Sequence, residues 1–271
     1  MVIIYIYMSY KSKYLKYKTK YLQLKGGQNE YILLFISGNQ NKIKEVSNIL
    51  GDKYPFLLLD IDIEEIQSVS VEKVAKQKAI DSYKEFQKYK SNLFINDKKF
   101  LDLVNNQKII VFCEDTGLGF EKMGSYKNDL FPGALIKFYY GSQKNGPKEK
   151  QIENANKTII SNIGGSYAES TTAVGVYIDG KQLYFSGSFE AEVVKNTNDY
   201  IQTEKGWDFD HILIPKKNNL NKKTVGQLLT DGDIIEKPRE IAVQKFKEYL
   251  DINKIKISKL ENFGSKKLII N

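Results

Sequence analysis

What most constrains this chain is an order of elements: from Tyr31 onward, apolar strands and amphipathic helices alternate. YILLFI is continuously apolar and reads as a buried strand; SGN follows, and NKIKEVSNIL then repeats its apolar residues at helical spacing and stops at Gly51. FLLLDIDI reads as a second strand, SVEKVAKQKAIDSYKEFQKY as a long amphipathic helix, and IIVFCEDTGLGF as a buried strand running into a glycine-bearing turn. PGALIKFYY and the NANKTIISNI region read as helical. SYAESTTAVGVYIDGKQLYFSGSFEAEVV alternates on either side of Asp179-Gly180, the signal of a hairpin. GWDFDHILIP follows as strand or loop, and PREIAVQKFKEYL is a helix with proline in its first turn. Strands alternating with helices, then a run of hairpins, predict an α/β fold with a mixed twisted β-sheet flanked by helices.

The ends of the chain differ in composition. MVIIYIYM is too short to span a bilayer, and its lysines follow the apolar run instead of preceding it as in a secretory signal. Tyr10, Tyr14, Tyr17 and Tyr21 then recur at spacings of three and four with lysines between. That pattern is either a basic aromatic arm for nucleic acid or membrane, or a solvated extension; charge-rich runs favour the second. Gly26-Gly27 reads as a linker. The chain therefore divides into an extension over residues 1–29, a domain over residues 30–250 with a polar insertion near residues 88–108, and a lysine-rich tail over residues 251–271.

Rare residues narrow the chemistry. One cysteine excludes an internal disulfide framework and suggests a reducing compartment, so a cytoplasmic protein is expected. One cysteine and one histidine also exclude the usual structural zinc sites, and leave any nucleophile-histidine machinery to His211 alone. Hydrolytic chemistry then falls to carboxylates, lysines and a bound divalent ion. The formal net charge of +8 favours anionic partners.

Two stretches carry such groups. Ser37-Gly38-Asn39 lies between a strand and a helix N-terminus, where free backbone N–H groups and the helix dipole favour an anion, and Lys42 is one turn in. It lacks the second glycine and the GK[ST] ending of a Walker loop, and it also reads as a plain strand-to-helix turn. Glu114-Asp115 closes an apolar strand, where α/β proteins place their sites. Magnesium takes one or two carboxylates together with substrate phosphates; the alternative is a surface turn. Cys113 reads as an inert core residue.

SGNQNKIKEV, DIEEIQ, VAKQKA, CEDTGLGF and FPGALIKFYY occur in that order. With them the sequence resembles the inosine triphosphate pyrophosphatase family, over roughly residues 31–250. The resemblance implies two lobes around a central nucleotide cleft, and removal of deaminated purine nucleotides such as ITP, dITP and XTP by cleavage between the α and β phosphates. It implies that Ser37, Asn39 and Lys42 bind phosphate, that Glu65 holds Mg²⁺, and that Asp115 binds the metal and orients the attacking water. Lys78 and Lys137 match lysines that reach the triphosphate. A homodimer is implied, with no stable nucleic-acid or membrane partner. The chemistry agrees: a polyanion needs lysines, a bridging cation and a carboxylate to align water.

At the base end the family carries aromatic-Gly-aromatic-Asp-Pro and then a second proline. Two registers fit GWDFDHILIP, and the one that places Pro215 correctly makes Trp207 the stacking platform and Asp210 the base-pocket acid. Asp208 then replaces a glycine and His211 a proline, and His211 reads as a partly buried strand residue. The family's closing Ser-His-Arg is matched by Lys237-Pro238-Arg239. Arg239 can bond O6 and N7 of a 6-keto purine, and an adenine amino group would leave it unpaired. Competing expectations are the same chemistry on a pyrimidine nucleotide such as dUTP, or a non-catalytic nucleotide- or nucleic-acid-binding protein.

Overall fold

A computed structural model describes residues 30–61, 63–93, 98–141, 148–206, 208–258 and 268–270. β1 (Glu30–Ile36) leads into α1 (Gln40–Leu50), followed by β2 (Leu57–Ile61), α2 (Val71–Leu93), α3 (Lys98–Asn106) and the long β3 (Lys108–Phe120). β4 (Ser125–Tyr126) and β5 (Asp129–Leu130) pair in a small hairpin, and β6 (Pro132–Gly133) returns along β3. α4 (Lys137–Gly141), α5 (Lys148–Ile163), β7 (Tyr167–Ile178) and β8 (Lys181–Val193) come next. β9 (Leu213–Pro215), α6 (Val225–Asp231), α7 (Pro238–Ile252), β10 (Lys256–Ile257) and β11 (Leu268–Ile270) complete the described chain.

The sheet runs β11-β2-β1-β3-β7-β8-β9, with β10 also on β1 and β6 on β3. β1 pairs in parallel with β2, β3 and β10, whereas β3, β7, β8 and β9 pair antiparallel. This is the mixed α/β sheet that the alternation predicts. Parallel neighbours need crossovers, and right-handed crossovers that leave β1 and return past it in opposite directions must lie on opposite faces. Accordingly Tyr31, Leu33 and Phe35 of β1 pack with Val46 and Leu50 of α1 and Phe246 and Leu250 of α7. Ile32, Leu34 and Ile36 pack on the other face with Ala79 and Phe86 of α2 and Val104 of α3. The reversal of direction falls between β1 and β3, and the crevice at their carboxyl ends is where such sheets take ligands. A separate apolar cluster forms the second lobe at the far ends of β3, β7 and β8, from Leu118, Phe120, Ala168, Ala191 and Val193 with Ile159 and Ile160 of α5. No helix among the described residues is long and apolar enough to cross a membrane.

Several local expectations change. Residues 88–108 carry the end of α2 and the whole of α3, with Val104 buried against β1 and β3, so the polar stretch covers a core face. The chain beyond Leu250 is not simply a tail, because Lys256–Ile257 pairs with β1 and Leu268–Ile270 with β2. β3 does not end at its acids; it continues through them to Phe120, paired with β7 throughout. Its glycines serve close approach, not a turn: a Cβ on Gly117 would lie 2.6 Å from the backbone of Gly133. Asp179 and Gly180, at φ +47° and +78°, make the two-residue turn between β7 and β8. The extension over residues 1–29 lies outside the described residues.

Candidate functional site

The Ser37–Asn39 turn leaves the end of β1, and its geometry is set by its own side chains. Asn39 caps α1, its Oδ1 accepting from the N–H groups of Asn41 at 3.0 Å and Lys42 at 3.3 Å. Ser37 Oγ accepts from the Asn39 N–H at 3.2 Å. A Cβ on Gly38 would stand 2.7 Å from Asp60 Oδ1, so glycine lets the turn lie against β2 without displacing the Asp60 side chain. Two of the first-turn amides expected to be open to an anion are therefore engaged by Asn39. The helix dipole and Lys42 still attract one.

Because β3 runs on past its acids, Glu114 and Asp115 face opposite sides of the sheet. Glu114 turns toward α1 and α7, with its side chain 1% exposed. Lys42 pairs with its Oε1. Arg239 Nε lies 3.5 Å from its Oε2, and the Thr116 hydroxyl donates to the same oxygen at 3.1 Å. Burial alone would push this carboxyl up, but the Lys42 and Arg239 charges outweigh it and hold the group at about 2. Asp115 has the opposite fate. Its Oδ2 is buried with no hydrogen-bond partner among the described residues. Burial lifts the carboxyl to about 6; Glu114 and Glu65 push the same way, and Lys42 and Lys78 offset only part.

Glu65, in the segment after β2, sits between two lysines: Lys78 of α2 donates to Oε1 at 2.5 Å, and Lys137 at the start of α4 donates to Oε2. Burial opposes its ionisation, yet the two lysines hold it at about 2. On the other side of the sheet, Arg239 lies in the first turn of α7 and is buried. Its Nη1 pairs with Glu45 of α1 at 2.5 Å, and Lys237 reaches the other oxygen of Glu45 at 3.4 Å. Lys42, Glu114, Arg239, Glu45 and Lys237 thus form one continuous chain of alternating charge.

Between the lobes lies a pocket with apolar walls from Phe189, Phe209, Val225, Ile235 and Pro238. Lys42, Thr116, Thr172, Asp208, Asp210 and Arg239 supply its polar groups. The loop carrying Asp208 and Asp210 is tied down twice. Asn156 of α5 donates to the Asp208 carbonyl at 2.8 Å, and the Gly226 N–H donates to the Asp210 carbonyl at 2.9 Å. His211 is buried behind them, with Nδ1 3.1 Å from Thr203 Oγ1, and burial lowers its pKa below the ordinary value. Its place is structural. Cys113 is also fully buried, and burial pushes its thiol up.

Of the residues singled out from sequence, Ser37, Asn39 and Lys42 share the turn at the end of β1. Glu65, Lys78 and Lys137 meet in one cluster beside Asp115, whose carboxyl feels the charges of Glu65 and Lys78. Asp210 and Arg239 line the pocket together with Lys42. Trp207 lies outside the described residues. Sequence reasoning grouped Glu114 with Asp115 instead of pairing it with Lys42 and Arg239, and it missed Glu45 and Phe209. Period-two alternation through both acids would have separated Glu114 from Asp115, and the spacing of three from Lys42 would have put Glu45 on the same face of α1.

Comparison with known proteins places these observations in a family. The profile of the Ham1 family matches residues 33–249. The chain is 28% identical to the inosine triphosphate pyrophosphatase of Kluyveromyces lactis, over 80% of this chain and 95% of that protein. It is likewise 28% identical to a dITP/XTP pyrophosphatase of Borreliella burgdorferi, again over 80% of this chain and 95% of that protein. The solved structure of the Staphylococcus aureus Ham1 protein superposes with a TM-score of 0.53 at 20% identity, covering 82% of this chain and 99% of that one, which shows a shared fold.

Proposed function

We propose, from the premise that this chain belongs to the Ham1 family, that it hydrolyses deaminated purine nucleoside triphosphates to the nucleoside monophosphate and pyrophosphate. ITP, dITP and XTP are the intended substrates, and the role is cleansing of the nucleotide pool. One observation carries the reading: Lys42, on the turn suited to phosphate, and Arg239, on the wall suited to a purine edge, line the same pocket. The names of the relatives from yeast and Borreliella support the same substrate class.

In this reading Lys42, Lys78 and Lys137 hold the polyphosphate. Arg239 donates to the 6-keto edge of the base, and Asp210 accepts from its N1–H. Phe209 and Phe189 supply apolar surface for the ring, and Trp207 keeps the stacking part that the family resemblance implies. Asp115, with a carboxyl near 6, is ionised at neutral pH yet basic enough to take a proton from the attacking water at Oδ2.

The carboxylates also fit a magnesium ion. Asp115 Oδ2 is a buried acceptor with no partner among the described residues, and both it and Glu65 are the hard oxygen donors that Mg²⁺ prefers. When bound, the ion would neutralise charge on the phosphate oxygens. Glu65 would be available to hold it if Lys78 and Lys137 turned to the phosphates.

The test is pyrophosphate release with Mg²⁺ from ITP, dITP, XTP, dGTP, dATP and dUTP. The first three are expected to exceed dATP and dUTP in kcat/KM by at least about tenfold, the scale set by about 1–3 kcal/mol for one unpaired hydrogen-bonding group in a buried site. No turnover of any member would overturn the proposal.

A further inference from the structure

We infer that Glu114 is a positioning residue through which phosphate binding and base reading are coupled. The inference rests on the pyrophosphatase reading and deepens it. Glu114 does not line the pocket, yet it holds two groups that do: Lys42 at Oε1, and Arg239 at 3.5 Å from Oε2. Its side chain is 1% exposed, so bulk solvent does little to screen either pair. Thr116, itself a pocket residue, donates to Oε2 at 3.1 Å and fixes the rotation of the carboxylate.

The arrangement works as a shared anchor. In the free protein Glu114 divides its charge between two cations. A triphosphate arriving at the end of β1 draws Lys42 away. Arg239 is then the cation left to Glu114, which fixes the guanidinium more firmly for a purine edge. Glu45 holds Arg239 from the far side, at 2.5 Å, so the guanidinium is steered between two carboxylates and is not released. Coupling of this kind is reciprocal: the factor by which a bound phosphate improves base binding at Arg239 is the factor by which a bound base improves phosphate binding at Lys42.

Glu114→Gln tests this, because it keeps the shape and removes the charge. Two readouts should move in opposite directions. Lys42, no longer neutralised, should bind inorganic tripolyphosphate several-fold more tightly in metal-free titration. The kcat/KM ratio of ITP to ATP should fall at least about tenfold, because Arg239 is no longer steered from both sides. A merely structural role would weaken both together, and that result, or an unchanged ratio, would overturn the proposal. If Glu114→Gln does not fold, Glu114→Asp decides: the charge is kept but drawn back from both Lys42 and Arg239. Tripolyphosphate should then bind no more weakly than to the wild type while the ITP to ATP ratio falls, and an unchanged ratio overturns the proposal. A wild-type chain that hydrolyses neither nucleotide would defeat the pyrophosphatase reading instead. The Glu114 proposal would then stand or fall on the tripolyphosphate titration, supported by tighter binding to Glu114→Gln and overturned by equal or weaker binding.

Discussion

Asp115→Asn should abolish turnover and at the same time stabilise the metal-free protein at neutral pH. The unfolded chain releases the Asp115 proton at the ordinary value of 3.8, whereas the folded chain holds it to about 6. Well below pH 3.8 the group is protonated in both states and costs nothing. Between those values the folded state is progressively penalised, and above about 6 the penalty is complete. At about 1.4 kcal/mol per pH unit, the gap corresponds to about 3 kcal/mol. That figure is a ceiling, because water entering the cleft screens part of it. Asparagine is neutral throughout and removes the penalty. For a domain of this size about 1 kcal/mol moves Tm by roughly 2–4 °C, so the variant should melt several degrees higher at pH 7.5 and with the wild type at pH 4. The assay is differential scanning fluorimetry of the full chain in EDTA across that range. A variant no more stable than the wild type at pH 7.5, or a difference that ignores pH, would refute the reasoning.

Other perturbations follow from the same site. Lys137→Ala should free one oxygen of Glu65 and let Mn²⁺ bind several-fold more tightly without nucleotide, read by electron paramagnetic resonance; unchanged binding would mean that the lysine pair does not restrain Glu65. Phe209→Ala should raise the KM for dITP by roughly tenfold with kcat little changed, in line with about 1–3 kcal/mol for one aromatic stacking contact, whereas a fall confined to kcat would remove Phe209 from the base wall. Removing residues 1–29 should leave pyrophosphate release intact and lower any polynucleotide binding, measured by gel shift; lost turnover would show that the extension is not an accessory.

The sequence reading succeeded where structure is set by neighbours along the chain. The apolar run of β1, the helical spacing of α1 and the Asp179-Gly180 turn are each decided within about ten residues by pleat, helix period and backbone freedom. It faltered where distant segments decide. Arg239 finds Glu45 across 194 positions, and no local pattern announces such a pair. The two acids of β3 were read as a strand end because Gly117 and Gly119 follow, although the glycines are there to let β6 and β5 approach. Lysine-rich composition hid the two residues by which β10 adds to the sheet. The roles expected of Glu65, Lys78 and Lys137 came from family resemblance; without it Lys78 and Lys137 read as exposed helix lysines.

β3, β7 and β8 each begin or end in the core beside α7 and α2 and reach the separate apolar cluster of the second lobe. The two halves of the cleft therefore share one continuous set of strands instead of a connecting peptide. Any change in the width of the cleft has to be taken up as curvature of that sheet, a few degrees at each of many backbone bonds. The molecule should behave as a leaf spring, with small, quick excursions about one resting gap, and not as a door with distinct open and shut positions.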